Sequence, residues 1–421
     1  MSITSSSPPY EDVELNLNLI EEQASRLICV VKPHWATKKL TYTKLTDGVS
    51  NALLAMFPTS TDNSDDDIKH GLICKIYGNN SDLVIDREME ICTMVELAKY
   101  NFANEILLRF KNGFFYTYEP GKTINHILAL DDCISSLIAR RLAEFHSITP
   151  KLEFHHKREN YCQLPEKLLH YFNLLSGTNS EIYQRLAKAS STSTTTTASA
   201  LLSSVKQLLG YSSQLTMNKI EERINYKLAD IENDIKQIDI IFRNQWSHIQ
   251  VVYCHNDTQC RNFLYDEKLK KINIIDFEHC MYNYWIFDIT NHFLEFAGLS
   301  NPDWSLYPDR KFQKKWLKTY LEYAEFLPDY IPITTATQNG VNKSKPSNIE
   351  LDYLCDLIGK MIAPCHLYWA LWAFLESLLN QTSTDFDYLA YGKIRFEQYL
   401  AHKEAFFEST LAELPKHTSA T

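Results

Sequence analysis

An aspartate and an asparagine follow a short apolar run in the middle of the chain. Val251-Val252-Tyr253 has the composition of a buried strand, and Asp257 and Asn262 come soon after it, five residues apart. In a kinase-type catalytic loop, the aspartate at this offset accepts the proton of the attacking hydroxyl and the asparagine binds a metal ion. The spacing therefore indicates phosphoryl transfer.

A β-hairpin is predicted directly after this loop. Residues 263–265 and 272–275 read as its two strands, around the polar turn Asp266-Glu267-Lys268. Such a hairpin returns Asp276 to the side of Asn262, so that two oxygen donors converge as a phosphate-bound Mg²⁺ requires. We expect Asp257 to lie beside them as the base.

Each of these pieces alone has an ordinary structural explanation. Aspartate and asparagine are common turn residues, and Asp276-Phe277-Glu278 could cap a following helix. The combination of a strand, a turn, a hairpin and a second aspartate at the end of the return strand is far more specific. Together these features favour a phosphotransfer site.

The composition restricts the class of protein. A chain of 421 residues suggests two lobes or domains. Hydrophobic residues make up 45% of the chain, which suffices for a sizeable core. The net charge is −10 and no basic cluster is present, which argues against a nucleic-acid partner. The ten scattered cysteines form no C-x-x-C pair, so we expect reduced thiols in the cytosol and no structural zinc.

Neither a targeting peptide nor a transmembrane segment is predicted. The N-terminal stretch MSITSSSPPYEDVE contains no apolar core and no arginine. The most apolar helix candidate, residues 362–379, contains Pro364, His366 and Glu376, which favours a buried helix over a membrane span. A cytoplasmic location is expected, and a homodimer is one possible state.

Alternating and apolar segments predict a β-rich first lobe and a helical second lobe. The predicted elements are strands at 40–45, 52–57, 72–77, 104–110 and 113–118, and helices at 14–31, 82–99, 134–148 and 219–246. The connection from the first predicted lobe to the second would fall at residues 119–121. The prediction is thus an α+β fold with domains at 1–120 and 121–421, and with a Ser/Thr-rich low-complexity insertion at 189–213.

Two segments of the first lobe carry groups suited to nucleotide phosphates. Gly48, between the first two predicted strands, lets backbone N–H groups approach, and Ser50 and Asn51 can donate to phosphate oxygens. An ordinary hairpin turn is the alternative for this segment.

Lys75 lies on the third predicted strand, where a buried lysine needs an anionic partner. Kinases hold nucleotide phosphates with such a lysine and pair it with a helical glutamate, here Glu88 or Glu90. The alternative is an edge strand whose lysine reaches solvent.

Beyond these motifs, the chain resembles the choline/ethanolamine kinase family. The resemblance is carried chiefly by residues 255–262 (HNDTQCRN), 275–278 (IDFE), 282–284 (YNY), 287–293 (FDITNHF) and 366–372 (HLYWALW). It covers most of the chain outside the insertion, and residues 294–298 (LEFAG) resemble the ethanolamine branch.

The resemblance implies a two-lobed protein-kinase-like fold, with a small β-rich N-lobe and a larger helical C-lobe, that uses ATP with Mg²⁺. It implies that Asp257 is the catalytic base, that Asn262 and Asp276 bind the metal, and that Glu278 helps to hold metal or water. Further roles implied by the resemblance are phosphate binding by Lys75, its pairing with Glu90, bracing of the catalytic loop by Asp288, and orientation of that loop by His255.

The resemblance also implies a pocket for a small amine. Glu295, Trp369, Trp372 and Tyr391 fall on positions that line it. Ring faces and a carboxylate hold a cation well, and the two tryptophans, three residues apart, share one helical face. The alternative is that both tryptophans are core residues.

The implied reaction is ATP-dependent phosphorylation of ethanolamine, with choline as the alternative substrate. The aromatic residue that follows the pocket glutamate in choline kinases has no evident match near Ser300, whereas a trimethylammonium group needs ring faces on several sides. An inactive kinase fold that serves as a binding scaffold stays open, although Asp257, Asn262, Asp276 and Lys75 argue against it. A protein kinase is disfavoured because neither D-F-G nor A-P-E follows the loop.

Overall fold

The computed structural model describes most of the chain in nine stretches. They are residues 7–45, 51–59, 71–78, 80–152, 161–176, 226–299, 301–327, 346–379 and 386–408. Gly48, Ser50 and the low-complexity insertion at 189–213 lie outside the described residues.

The chain divides into two compact units. The first contains Met1–Arg141, Pro150–His156 and Gln259–Cys280, and the second contains Leu142–Thr149, Lys157–Thr258 and Met281–Thr421. The lobes expected at 1–120 and 121–421 are a different division and stay a prediction.

The first unit is built on a six-stranded sheet. Its strands are β1 Tyr10–Glu11, β2 Leu40–Leu45, β3 Asn51–Pro58, β4 Leu72–Tyr77, β5 Ile106–Phe110 and β6 Gly113–Thr117. Their spatial order is β1-β5-β6-β4-β3-β2; β1 runs parallel to β5, and the other neighbours pair antiparallel. The five strands predicted from apolar alternation are confirmed.

Strand β4 lies in the interior of this sheet, between β3 and β6. Because side chains alternate along a strand, Leu72, Cys74 and Ile76 share one face, where they join a core that includes residues of helix α1 (Ile20–Ile28). Lys75 belongs to the opposite face and is 4% exposed. The edge-strand alternative for Lys75 is therefore wrong.

The second helix of this unit, α2 (Arg87–Ala98), begins later than the predicted residue 82. Ser81–Leu83 form a separate 3₁₀ turn after Asn80, whose φ of 56° is left-handed. The side chain of Asp86 then caps α2, accepting a hydrogen bond from the Met89 N–H at 3.0 Å. This cap sets the register that turns residue 90 toward the interior.

The predicted catalytic hairpin is confirmed. Strands β9 (Phe263–Asp266) and β10 (Lys271–Ile274) pair antiparallel, and the short β7 (Lys122–Thr123) extends this sheet along β9. The Ile275 N–H donates to the Asn262 carbonyl at 3.0 Å. The next residue, Asp276, is thereby returned to the side of Asn262.

The second unit is mainly helical, as the sequence predicts. Strand β8 (Val251–Cys254) pairs with β11 (Met281–Tyr284). Within the described residues, α3 His126–Ala129 and most of α4 Asp132–His146 belong to the first unit. The helices of the second unit that the structure describes are α5 Leu164–Leu175, α6 Leu228–Gln245, α7 Trp285–Leu294, α8 Arg310–Tyr323, α9 Asn348–Leu379 and α10 Tyr388–Phe407. Of the predicted helix at 219–246, residues 219–225 lie outside the described part.

Helix α9 continues through Pro364 and is much longer than its apolar segment at 362–379. It is the one helix in the described residues that is long and apolar enough to cross a membrane, and 89% of its most apolar window is buried within the protein. The core helix of a globular unit meets the same criterion of length and hydropathy.

Gly113 provides a test of the packing around Lys75. A Cβ atom at this position would lie 2.0 Å from the Lys75 carbonyl oxygen, and paired strand backbone cannot move aside as a flexible side chain does. We expect Gly113→Ala to lower the free energy of unfolding by roughly 1–3 kcal/mol, measured by thermal and urea denaturation.

Gly359 is the matched control, because it lies in α9 and a Cβ atom added there would have nothing within 4 Å. Gly359→Ala should leave stability unchanged or raise it by about 0.5–1 kcal/mol, since alanine favours a helix. Equal stability of the two variants would contradict the tight packing at Lys75.

Candidate active site

A buried ion pair lies at the centre of the first unit. The Lys75 Nζ on β4 donates to the Glu90 Oε1 on α2 at 2.6 Å, and both side chains are almost fully buried. Of the two glutamates offered by the sequence, Glu90 is therefore the partner. Glu88 is exposed and pairs with Arg109 instead.

The same ammonium group contacts two more carboxylates, which the segment just after the β9–β10 hairpin supplies. Lys75 Nζ lies 3.0 Å from Asp276 Oδ1 and 3.0 Å from Glu278 Oε2. Burial disfavours the charged lysine, but the three carboxylates outweigh this effect and hold the pKa of Lys75 well above its usual value. Lys75 thus joins β4, α2 and the hairpin through charge.

Arg87 is a second cation of this cluster, and it was not predicted from the sequence. Its Nη1 donates to Glu90 Oε2 at 2.8 Å and to Glu278 Oε2 at 2.9 Å. Its Nη2 donates to the side-chain oxygens of Asn51 (3.0 Å) and Ser81 (2.6 Å). Its position three residues before Glu90, on the same helical face, was the signal that could have identified it.

Among the described residues, three carboxylates of the cluster contact two cations, Lys75 and Arg87, and His279 adds to the positive charge that acts on Glu278. Glu278 Oε2 accepts from Lys75, from Arg87 and from Asn51 Nδ2 at 2.8 Å. Burial opposes its ionisation, but the two cations hold the pKa of Glu278 well below the ordinary value. Glu278 is therefore ionised, and its Oε2 atom is occupied by hydrogen bonds from these three side chains.

Asp276 is the carboxylate with the greatest remaining capacity to bind a ligand. Its side chain is 32% exposed, compared with 4% for Glu278. Burial and the neighbouring Glu278 raise the pKa of Asp276 to about 6, against the opposing charge of Lys75. Its φ of 66° is left-handed, which is strained for a residue other than glycine and common at functional sites.

This oxygen-rich cluster has the chemistry of a site for a hard divalent cation. Oxygens of Glu90, Asp276 and Glu278 all lie within 4.8 Å of one another. Magnesium prefers carboxylate and amide oxygens and keeps several of its own waters, so one or two open protein ligands suffice. Asp276, with Asn262 next to it across the hairpin, fits that requirement.

In the second unit, the loop that carries Asp257 is held by one buried carboxylate. Asp288 accepts hydrogen bonds from the backbone N–H groups of His255 and Asn256, both at 2.7 Å. His146 Nε2 lies 2.9 Å from the same carboxylate. Asp288 therefore braces the residues just before Asp257, as the family resemblance implies.

The other side of Asp257 is tied to helix α7. Thr258 Oγ1 donates to the Asp288 carbonyl at 2.6 Å, and Asn291 Nδ2 donates to Thr258 Oγ1 at 3.3 Å. Asn291 Oδ1 in turn accepts from the Trp369 indole Nε1–H at 2.8 Å. Residues on both sides of Asp257 are thus fixed by buried polar contacts.

The four residues expected to line an amine pocket lie in one neighbourhood of the second unit. The rings of Trp369 and Trp372 meet edge to face at 5.3 Å, and those of Trp372 and Tyr391 at 6.5 Å. Arg395 donates to both Tyr391 and Glu295. A buried arginine among these groups was not anticipated from the sequence.

One aromatic residue that follows Glu295 was also missed. Trp304, on the 3₁₀ turn Trp304–Leu306, packs edge to face on His366 with ring centroids 5.3 Å apart. His366 contacts Arg395, so Trp304 belongs to the wider surroundings of the pocket. Its distance from Glu295 along the chain is the reason that a local motif does not predict it.

These features define a class of protein. A β sheet whose interior strand carries a lysine paired to a helical glutamate, followed by a braced catalytic loop and a helical region, is the protein-kinase-like fold. An ethanolamine kinase from Plasmodium vivax has a similar structure, with a TM-score of 0.65 at 19% identity, over 94% of this chain and 92% of that one.

Within this class, the chain belongs to the choline/ethanolamine kinase family, whose model matches residues 42–400. Human ethanolamine kinase 1 is 29% identical over 94% of this chain and 74% of its own length. Human ethanolamine kinase 2 is 29% identical over 97% of this chain and 86% of its own length. Membership in a kinase family implies ATP as the phosphoryl donor.

The buried charge cluster predicts a large effect of removing Arg87. Arg87→Met leaves Glu90 and Glu278 with one cation fewer in a buried setting, and we expect a loss of roughly 3–5 kcal/mol of stability. Thermal and denaturant unfolding of the full chain measure this change.

Arg26→Met is the control, because Arg26 also pairs with a helical glutamate, Glu22, but both side chains are mostly exposed (77% and 57%). Its removal should not change the melting temperature measurably. If the two variants proved equally stable, the cluster around Lys75 would not depend on Arg87.

Proposed function

We propose that this protein transfers the γ-phosphoryl group of ATP to the hydroxyl of ethanolamine and yields phosphoethanolamine. The observation that carries the proposal is that Lys75 contacts both Glu90 and Asp276. Phosphotransferases use a lysine paired with a helical glutamate to hold nucleotide phosphates, and an aspartate beside it to hold the metal. Relatives named ethanolamine kinases, matched over nearly the whole chain, support ethanolamine as the acceptor.

The first unit supplies the groups for ATP. Lys75 binds phosphate oxygens while Glu90 holds the ammonium group in place. The backbone at Gly48 and the side chain of Ser50 add phosphate contacts. Asn51, whose amide bonds to Glu278 and Arg87, links that segment to the charge cluster.

Asn262 and Asp276 hold Mg²⁺ in this proposal, with Glu278 in support. The excess of carboxylates over Lys75 and Arg87 in the described cluster and the partial exposure of Asp276 favour this assignment. When bound, Mg²⁺ neutralises charge that develops on the transferred phosphoryl group. Lys75 and Arg87 keep Glu278 ionised and fixed, so that the hairpin presents Asp276 in one orientation.

Asp257 accepts the proton of the ethanolamine hydroxyl. A base must be held within hydrogen-bond distance of the proton that it removes, which demands a rigid loop. Asp288 and Thr258 provide that rigidity through buried hydrogen bonds on either side of Asp257. An inactive scaffold would have no need of this complete set of groups.

The amine binds near Glu295, Trp369, Trp372 and Tyr391. A primary ammonium carries three N–H donors and needs acceptors, which a carboxylate supplies through a charge-assisted hydrogen bond. Choline has no N–H donor and depends on ring faces alone. Choline is the alternative acceptor, and Trp304 adds an aromatic ring to the surroundings in its favour.

A reducing compartment suits this assignment, because all ten cysteines carry free thiols. A cytoplasmic enzyme is the corresponding proposal, and the homodimer stays a prediction.

The metal assignment predicts the behaviour of Asp276→Asn. Loss of one carboxylate charge should lower kcat by about 100-fold or more, since positioning and electrostatics carry most of phosphoryl transfer. It should also weaken Mn²⁺ binding in the presence of ATP, measured by electron paramagnetic resonance without turnover.

Asp266→Asn is the control for this substitution. Asp266 lies on the same hairpin, but its carboxylate accepts from the turn N–H groups of Lys268 and Leu269, a role that asparagine can fill. This variant should turn over normally. Wild-type kcat and Mn²⁺ affinity in a folded Asp276→Asn protein would exclude Asp276 as a metal ligand.

The choice of acceptor is tested by kcat/KM for ethanolamine and choline under identical ATP and Mg²⁺ concentrations. A pocket that leaves a polar group unpaired discriminates more strongly than one that loses a methyl contact. We expect a preference for ethanolamine of roughly ten-fold or more, equivalent to about 1.4 kcal/mol of transition-state binding. Equal kcat/KM values, or a higher value for choline, would assign the protein to the choline kinase branch of the family instead.

A further inference from the structure

A buried arginine occupies the neighbourhood in which the proposed function expects a cationic substrate. Arg395, on helix α10, is 3% exposed. Its Nε donates to the Tyr391 hydroxyl at 2.8 Å, its Nη1 lies 3.3 Å from His366 Nδ1, and its Nη2 donates to Glu295 Oε1. Each guanidinium nitrogen thus has a separate partner.

The ion pair between Arg395 and Glu295 changes what Glu295 can offer. Both side chains are more than nine-tenths buried, so water does little to screen or replace their contact. In the described part of the chain, the side-chain hydrogen bond of Glu295 is accepted by Oε1, which leaves Oε2 as the remaining acceptor. The carboxylate is therefore positioned and neutralised before any amine arrives.

The neighbours of Arg395 support a fixed orientation of this pair. Burial, followed by the positive charge of Arg395, lowers the pKa of His366 well below its usual value, so His366 is neutral and its Nδ1 accepts from Arg395. The Tyr391 oxygen accepts from Nε, so the ring is held by its hydroxyl. Because the guanidinium group is planar and rigid, its orientation fixes its contacts with Tyr391, His366 and Glu295 together.

We propose that Arg395 is a positioning residue that sets the amine specificity, by holding Glu295 as a neutralised hydrogen-bond acceptor rather than as a free anion. This inference rests on the proposed function and identifies how the same pocket distinguishes its substrates.

The consequence for the two amines follows from their chemistry. A paired carboxylate still accepts a hydrogen bond through its second oxygen, which a primary ammonium can use. A trimethylammonium group has no donor, so beyond the ring faces it can gain from Glu295 only through net charge, which Arg395 cancels. Arg395 therefore penalises choline more than ethanolamine.

The test is the ratio of kcat/KM for ethanolamine to that for choline in the full-length protein. Arg395→Gln removes the charge and keeps hydrogen-bonding capacity, and we expect the ratio to fall by roughly ten-fold, mainly through a lower KM for choline. Arg395→Lys restores the charge without the fork and should recover part of the preference. KM for ATP should stay within about two-fold in both variants.

Lys403→Met is the matched control, because it removes a different ion pair of the same helix. Lys403 Nζ contacts Asp234 Oδ2 at 2.7 Å, and Asp234 also accepts from Tyr399 at 2.6 Å. This variant should lower the melting temperature and leave the selectivity ratio unchanged. If Arg395→Gln behaved in the same way, Arg395 would be a structural residue only and the proposal would be wrong.

A variant that fails to fold does not prevent the test. Should Arg395→Gln unfold because Glu295 is left charged and unpaired, the double variant Arg395→Gln/Glu295→Gln removes that charge. Since Arg395 acts through Glu295, the double variant should have the selectivity of Glu295→Gln alone. A further fall in the double variant would contradict the proposal.

The outcome for the wild-type protein separates this inference from the proposed function. Absence of ethanolamine turnover in the wild type overturns the proposed function itself. Normal wild-type turnover with an unchanged ratio in every Arg395 variant overturns only the role of Arg395.

Discussion

The contact on which the first unit depends is that of one buried ammonium with three carboxylates. A charged group inside a protein loses several kcal/mol of hydration, and only well-placed opposite charges restore it. Lys75 obtains those charges from a helix that follows it closely and from a hairpin about two hundred residues later. The sheet, the helix and the hairpin must therefore assemble together, which makes this charge cluster a determinant of the fold as well as of the chemistry.

Arg87 completes this arrangement and decides what each carboxylate can do. Glu90 and Glu278 share its guanidinium, whereas Asp276 contacts Lys75 alone among these cations and is partly exposed. Because neutralisation is unequal, Glu90 and Glu278 maintain the cluster, whereas Asp276 is the carboxylate that the proposed function assigns to a metal ion. The left-handed backbone at Asp276 is consistent with a residue that the surrounding contacts hold in place at some conformational expense.

The second unit applies the same principle to its own charges. Asp288 is satisfied by backbone N–H groups of the catalytic loop, and Glu295 by Arg395, so neither buried carboxylate is left without a donor. In the proposed mechanism, the first contact holds the loop that carries the base, and the second holds the carboxylate that recognises the amine. A buried arginine beside the proposed amine pocket is physically reasonable, because the proposed recognition uses directed hydrogen bonds and because the negative charge of Asp257 also acts on this region, Tyr391 included.

The amino-acid sequence by itself determined the strands around Lys75, the hairpin that returns Asp276 to Asn262, and the spacing of Asp257 and Asn262. These features are local, because a two-residue period, a turn composition and a loop offset are each written in fewer than about thirty consecutive residues. The family resemblance already favoured Glu90 over Glu88, but only the tertiary structure showed the buried ion pair, placed Arg87 across two carboxylates and placed Arg395 on Glu295. The physical reason is that such choices depend on the cap that sets a helix register and on pairs of side chains that lie as many as two hundred positions apart, and no short pattern encodes either.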